Sequence, residues 1–158
     1  METYPENYVR QLQRLLGLVT DSQQHYQYAE EHIKSTEFRD LLKFYVNERK
    51  KISNDLREKI ASFGGNPDEN DLGFLSLLER SWHEIQAKAA GRGDQELLES
   101  CRNSDQYLLD GYDDVLQGSV LERPDLKAFL SEQRLAINES FWELDRHYFN
   151  LFKTDNTL

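Results

Sequence analysis

The sequence contains few of the residues that interrupt helices or cross-link a chain. Three prolines and eight glycines among 158 residues argue against a loop-rich all-β fold and against a disordered chain. The single cysteine excludes an internal disulfide framework and a cysteine-rich zinc site. No apolar run is long enough to span a bilayer, so we expect no membrane partner. These absences favour an all-α globular fold.

Positive charge is also scarce. The chain has 19 basic and 29 acidic residues, which gives a formal net charge of −10. Because each phosphate contact needs a cation, this balance disfavours nucleic acid as a partner. The amino terminus lacks the basic region and apolar core of a signal peptide. We therefore expect a cytoplasmic protein with one domain over residues 1–158, a core over about 5–152 and a frayed tail at 153–158.

Apolar side chains recur at steps of three and four residues through four long segments, as on one face of a helix. These predicted helices cover residues 5–33, about 36–63, about 94–117 and about 125–152. Their predicted inward positions are Tyr8, Leu12, Leu15, Val19, Ser22, Tyr26, Ala29 and Ile33; Phe38, Leu42, Tyr45, Ile52, Leu56, Ile60 and Phe63; Leu98, Cys101, Asp105, Leu108, Tyr112 and Val115; and Leu126, Phe129, Leu130, Ile137, Phe141, Leu144, Tyr148 and Leu151.

The connections between these helices differ in length. Short turns join the first helix to the second, with Ser35 as a cap residue, and the third to the fourth, so each pair should be antiparallel. Residues 66–93 separate the second long helix from the third, with a shorter helix predicted at Leu72–Ala90 and Asp94 placed to cap the third long helix. This length suits the crossover of a ferritin-like fold. A plain up-down bundle with a fifth helix on its side is the alternative.

A set of residues in this order and spacing carries a family likeness over residues 10–148. The set is Asp21, Tyr26, Ala29, Glu48, Arg49, Leu56, Gly64, Gly65, Pro67, Gly73, Arg80, Trp82, Leu98, Glu99, Arg102, Asp105, Tyr112 and Gln133. On these residues the sequence resembles a bacterial family of ferritin-like proteins catalogued as a domain of unknown function. The resemblance implies an all-α, ferritin-like four-helix bundle with an extra shorter helix in the crossover between long helices 2 and 3. It brings no established reaction.

A ferritin-like fold raises the question of two metal ions, which are usually held by a Glu from two helices and a Glu-x-x-His from each of the others. No Glu-x-x-His occurs in the sequence, so we expect no conventional di-iron centre. Four carboxylates at or near inward positions remain as candidate ligands, namely Asp21, Glu48, Glu99 and Asp105. Because their oxygen atoms suit hard cations, they predict an alternative site for iron or manganese.

The interpretation that we favour for the same region is a buried polar layer without a cofactor. Buried charge is costly unless it is paired, so Arg49 would neutralise Asp105 or Glu48. Tyr112 and Gln133 would then supply hydrogen bonds. In a third interpretation these side chains face solvent.

The histidines and the cysteine give no stronger signal for chemistry. His25 follows Asp21 by four residues, a spacing more typical of a surface ion pair than of a metal site. Cys101 lies on the apolar face, where a free cysteine behaves as a small hydrophobe. No Ser-His-Asp set, glycine-rich phosphate loop or Walker motif is recognised. A non-enzymatic role is therefore favoured.

The last helix is aromatic on more than one face, because Trp142 lies beside Phe141 and is followed by Tyr148 and Phe149. A second apolar face on a bundle helix indicates a partner surface, and we predict a homodimer through helix 4 near Trp142. The predicted role is binding or assembly, or a stress-associated role in line with the resemblance. Metal binding is the alternative, and a regulatory module acting through the aromatic surface is a third.

Overall fold

The structure, a computed structural model, describes residues 3–69 and 93–148, and its described residues form four long helices. Their bounds are α1 Thr3–His32, α2 Thr36–Ser62, α3 Asp94–Leu116 and α4 Pro124–Tyr148, with a 3₁₀ turn at Ser119–Glu122 before α4. The four predicted helices are confirmed. The shorter helix predicted at Leu72–Ala90 and the tail at 153–158 lie outside the described residues.

The directions of the helices follow from side-chain contacts between them. Ser22 in α1 contacts Asp105 in α3, and Asn7 near the start of α1 contacts Ser119 just after the end of α3, so these helices are antiparallel. The same reasoning makes α1 antiparallel to α2, α3 antiparallel to α4, and α2 antiparallel to α4. Consequently α2 and α3 are parallel. This arrangement requires a crossover and confirms the ferritin-like connectivity over the plain up-down bundle.

The predicted apolar stripes form the core of the bundle. All eight inward positions predicted for the first helix are buried, as are all six predicted for the third. Three predicted core residues, Phe63, Phe129 and Phe141, are only partly buried and pack against the edge of the core. Leu151 lies outside the described residues. Helical periodicity therefore identified the buried face of each described helix.

Two capping residues were predicted near the turn between α1 and α2, and one of them has a different role in the structure. Ser35 is the N-cap of α2, as predicted, and its hydroxyl accepts a hydrogen bond from the backbone N–H of Phe38. The prediction that Asp94 caps α3 was wrong, because Gly93 is the N-cap and Asp94 is the first helical residue. The Asp94 carboxylate instead accepts hydrogen bonds from the backbone N–H groups of Lys34 and Ser35, at 2.9 and 3.1 Å. This contact attaches the start of α3 to the α1–α2 turn.

The core consists of two apolar clusters, one towards each end of the bundle. In every helix the two clusters are separated at the same level by a buried polar residue. These four residues are Ser22, Arg49, Asp105 and Ser140. We call this set the polar layer. Within the described ranges, no helix combines the length and apolar character needed to cross a lipid bilayer.

Candidate functional site

The polar layer is built around Arg49, whose side chain is completely buried. Arg49 follows Tyr45 by four residues and precedes Ile52 by three, so it lies on the inward stripe of α2. Its Nη2 atom lies 2.9 Å from Asp105 Oδ1 and donates a 2.6 Å hydrogen bond to Ser140 Oγ. Arg49 extends from α2, and with Ser22 on α1 included, its guanidinium group is contacted by all three other helices.

The remaining guanidinium nitrogens are also bonded. Nε donates to Ser22 Oγ at 3.1 Å, and Nη1 donates to Glu48 Oε1 at 2.9 Å. The guanidinium carbon lies 5.2 Å from the centre of the Tyr26 ring. Two carboxylates, two hydroxyls and an aromatic ring thus surround Arg49.

The Asp105 carboxylate is completely buried and is held by side chains from α1 and α2. The Tyr26 hydroxyl donates a short hydrogen bond to Oδ2, while the Ser22 hydroxyl donates to Oδ1 at 3.1 Å. Together with Arg49, these donors satisfy both carboxylate oxygens in a place where no solvent reaches them. A buried ion pair is tolerated when further hydrogen bonds complete it, as they do here.

Burial and the paired charges shift several pKa values. Burial and the nearby Asp105 raise the pKa of the Tyr26 hydroxyl well above its usual value. Burial raises the pKa of Glu48. The contact with Arg49 lowers this pKa, but by less than burial raises it. Burial lowers the pKa of Arg49, but Asp105, Tyr26 and Glu48 together raise it by more, so the guanidinium stays charged. The polar layer therefore holds a fixed cation, and the phenol of Tyr26 beside it stays protonated.

The four predicted carboxylate ligands do not gather around one point. Glu48 and Asp105 both bond to Arg49, whereas Asp21 Oδ1 lies 3.4 Å from His25 Nε2 at the seam between α1 and α3. Glu99 is half-buried. No three of the Asp, Glu, His and Cys side chains in the described part of the chain are grouped so that they could hold a metal ion.

Two of the polar-layer partners named from the sequence form a separate hydrogen bond. The Tyr112 hydroxyl donates to Gln133 Oε1 at 2.7 Å, and both side chains are buried. Burial raises the pKa of the Tyr112 hydroxyl. This bond links α3 to α4 within the core, beside the layer that Arg49 organises.

Sequence reasoning missed Ser140 and the role of Glu143. Ser140 lies three residues after Ile137 and four before Leu144, so the gap in the apolar stripe of α4 was a usable signal for a polar partner. Glu143 accepts a hydrogen bond from the Tyr45 hydroxyl, which joins α2 to α4. No pattern in the sequence alone indicates that contact, because periodicity identifies the inward face of a helix but not which side chains meet across two helices.

His25 lies 3.4 Å from Asp21, as their spacing suggested, but the expected position of this pair on the surface was wrong. His25 is only 3% exposed, and its Nδ1 atom lies 3.0 Å from Ser100 Oγ across the α1–α3 seam. Cys101 is buried beside it, as predicted, and burial raises the pKa of its thiol. The thiol is therefore protonated and poorly nucleophilic.

Comparisons with known proteins agree with this architecture. The model of the family described as a domain of unknown function, DUF2383, matches residues 7–118, and the chain belongs to this family. The search of curated proteins gives no match. The crystal structure of a ferritin-like, diiron-carboxylate protein from Bacillus anthracis str. Ames is similar with a TM-score of 0.72 and 17% identity, covering 94% of this chain and 99% of that chain. That likeness shows a ferritin-like fold.

Within residues 3–69 and 93–148, the inward side chains do not fit a di-iron centre of the usual kind. Such a centre takes carboxylate and histidine ligands that project inward from four helices. Here the inward groups at the convergence of the four helices are one guanidinium, one carboxylate and two hydroxyls, and Glu48 joins them from the edge. The permanent positive charge of Arg49 occupies the space between the Glu48 and Asp105 carboxylates.

Proposed function

We propose that this protein has a non-enzymatic role in binding and assembly, and that it assembles with a second copy of itself through the outer face of α4. The observation that carries this proposal is a pair of large apolar side chains on that face. Leu135 and Trp142 are 58% and 56% exposed. They are separated by two helical turns and so lie on the same side of α4.

The geometry of this face suits a symmetric pair. Most soluble homo-oligomers are two-fold dimers, in which the same patch meets itself. If two α4 helices pair in opposite directions, Trp142 of each copy lies against Leu135 of the other. Phe141 supports Trp142 from behind, since their rings meet edge to face with centroids 5.4 Å apart. Aromatic anchors of this kind are enriched at interface centres.

The closed polar layer supports the non-enzymatic part of the proposal. Arg49 and Asp105 have no exposed surface, and the thiol of Cys101 is buried and protonated. A substrate could not reach these groups without opening the bundle. The chemistry of the core is therefore structural, and the surface carries the function.

Sedimentation velocity tests this proposal. We expect a dimer at tens of micromolar for the wild type and a monomer for Trp142→Glu, because a carboxylate at the centre of an apolar interface would be buried without a partner. Tyr107→Glu is the matched control: Tyr107 is 71% exposed on α3, and this variant should remain dimeric. A wild-type monomer at that concentration would contradict self-assembly through α4.

The alternative function, binding of iron or manganese at Asp21, Glu48, Glu99 and Asp105, makes a different prediction. It requires near-stoichiometric metal in the purified protein and its loss in Glu48→Gln. Since Glu48 and Asp105 both bond to Arg49, a metal ion would have to displace the guanidinium. Elemental analysis of both proteins distinguishes the two functions.

A further inference from the structure

We propose that the Arg49 guanidinium is a built-in cation that stands at the centre of the bundle in place of bound metal, and that the pocket around it is specific for a guanidinium ion. The inference is independent of assembly through α4. It arises because the fold is similar to that of a diiron-carboxylate protein, whereas the described inward side chains at its centre include an arginine and are not a set of metal ligands.

The first support is the position of the group. Ferritin-like carboxylate proteins build their metal sites from side chains that converge from all four helices. In this chain the four helices converge on Arg49, through Ser22 on α1, Asp105 on α3 and Ser140 on α4. The convergence therefore exists here, but its centre is an arginine from α2.

The second support is the shape of the pocket. All three guanidinium nitrogens donate to oxygen atoms at 2.6–3.1 Å, which are hydrogen-bond distances. A bound divalent cation such as Mn²⁺ or Mg²⁺ would need more oxygen ligands at shorter range. The oxygens of Glu48 and Asp105 bond to different nitrogens of the guanidinium group. This arrangement suits the planar, branched shape of a guanidinium ion better than a spherical metal ion.

The third support is charge. Asp105 is fully buried, and a buried carboxylate is costly unless it is paired, so a cation at this point stabilises the fold. Arg49 provides that cation within the chain, and its charge is permanent. Folding of the bundle is thereby independent of metal supply.

Chemical complementation tests the inference. In Arg49→Ala we expect a lower Tm than in the wild type, and we expect millimolar guanidinium chloride to raise it by a few degrees in a saturable way. Equal concentrations of urea, which is planar but neutral, and of sodium chloride should not raise it. Wild type and Arg57→Ala, which loses an exposed ion pair of the same helix, should show no increase with guanidinium.

A second variant pair keeps the test decisive if Arg49→Ala does not fold. Arg49→Met combined with Asp105→Asn removes both charges, and it should have a higher Tm than Arg49→Met alone, which leaves Asp105 unpaired. A lower Tm for the double variant, or no response of a folded Arg49→Ala to guanidinium, would overturn the proposal. A saturable increase in the wild-type Tm with Mn²⁺, abolished in Asp105→Asn, would also overturn it.

Discussion

At the scale of single residues, the polar layer shows how a sequence pattern can be correct while its chemistry stays ambiguous. The stripe of α3 places Asp105 inward, and the stripe of α1 places Ser22 inward, from spacing alone. What periodicity could not provide is the partner of each group. Arg49 falls on the inward stripe of α2, but a helical pattern cannot distinguish an arginine that extends to the surface from one that ends in the core.

The distribution of carboxylates illustrates the same limit. Asp21, Glu48, Glu99 and Asp105 share the property of lying near the inward faces of three helices. Whether they meet depends on axial level and on crossing geometry, which periodicity does not specify. The structure places Asp21 at the α1–α3 seam, 3.4 Å from His25, and Asp105 on the axis of the bundle beside Arg49.

Buried tyrosines predict a loss of stability at alkaline pH. Burial raises the pKa of Tyr112 in the folded state, whereas an unfolded tyrosine titrates near pH 10, about its usual value. Above that pH the unfolded chain releases the proton first, so the free energy of unfolding falls as pH rises, by up to about 1.4 kcal/mol per pH unit for this group. Below about pH 10 the stability is fully present.

Urea unfolding at several pH values above and below the titration range checks this prediction. Tyr112→Phe should have a shallower decline of unfolding free energy with rising pH than the wild type, because one group has been removed from the linkage. Tyr107→Phe is the matched control, since Tyr107 is 71% exposed, and it should retain the wild-type slope. Identical slopes for all three proteins would show that Tyr112 ionises without unfolding.

At the scale of elements, the sequence predicted the helices and their buried faces because each is a local property. Steps of three and four residues, a serine cap before α2 and glycines after it determine where helices begin, end and face inward. The error at Asp94 has a different origin. A carboxylate at a helix start can bond to its own helix or to a neighbouring backbone, and the choice depends on which chain segment lies beside it.

The contact of Asp94 with the α1–α2 turn predicts a specific loss of stability. Asp94→Ala should lower the free energy of unfolding by about 1 kcal/mol or more, because two hydrogen bonds to an ionised acceptor disappear. Hydrogen exchange at the Lys34 and Ser35 amides, which donate those bonds, should become faster.

Glu96→Ala is the control for the charge at the helix start. Glu96 is also an acidic residue in the first turn of α3, so its removal tests the helix dipole without touching the α1–α2 turn. We expect a smaller loss and unchanged exchange at Lys34 and Ser35. Equal effects of the two variants would assign the role of Asp94 to the dipole rather than to the turn.

At the scale of the whole molecule, the topology was predictable from loop length, whereas the partner surface on α4 stays a prediction. The long connection at 66–93 favoured a crossover, and the parallel directions of α2 and α3 agree with it. The outer face of α4 was predicted as a partner surface from Trp142 and its aromatic neighbours Phe141, Tyr148 and Phe149. Leu135 lies two turns earlier on the same side of α4, but the sequence analysis did not select it. Its contribution to the outer face becomes clear only from its exposed fraction of 58% in the structure.

Assembly through α4 predicts that stability depends on protein concentration. When folded copies associate and unfolded ones do not, mass action raises Tm as concentration increases. We expect the Tm of the wild type to rise between low and high micromolar protein, and the Tm of Trp142→Glu to stay constant over the same range. Differential scanning fluorimetry measures both.

The same titration distinguishes a weakened interface from a damaged fold. Trp142 is 56% exposed, so its replacement removes little of the core, and at the lowest concentration both proteins should unfold at nearly the same temperature. A Trp142→Glu protein that is less stable even there would mean that Trp142 supports the packing of Phe141 within the monomer. A wild-type Tm that does not change with protein concentration would exclude coupled folding and self-association. The exposed pair Leu135 and Trp142 would then be a surface for a different protein.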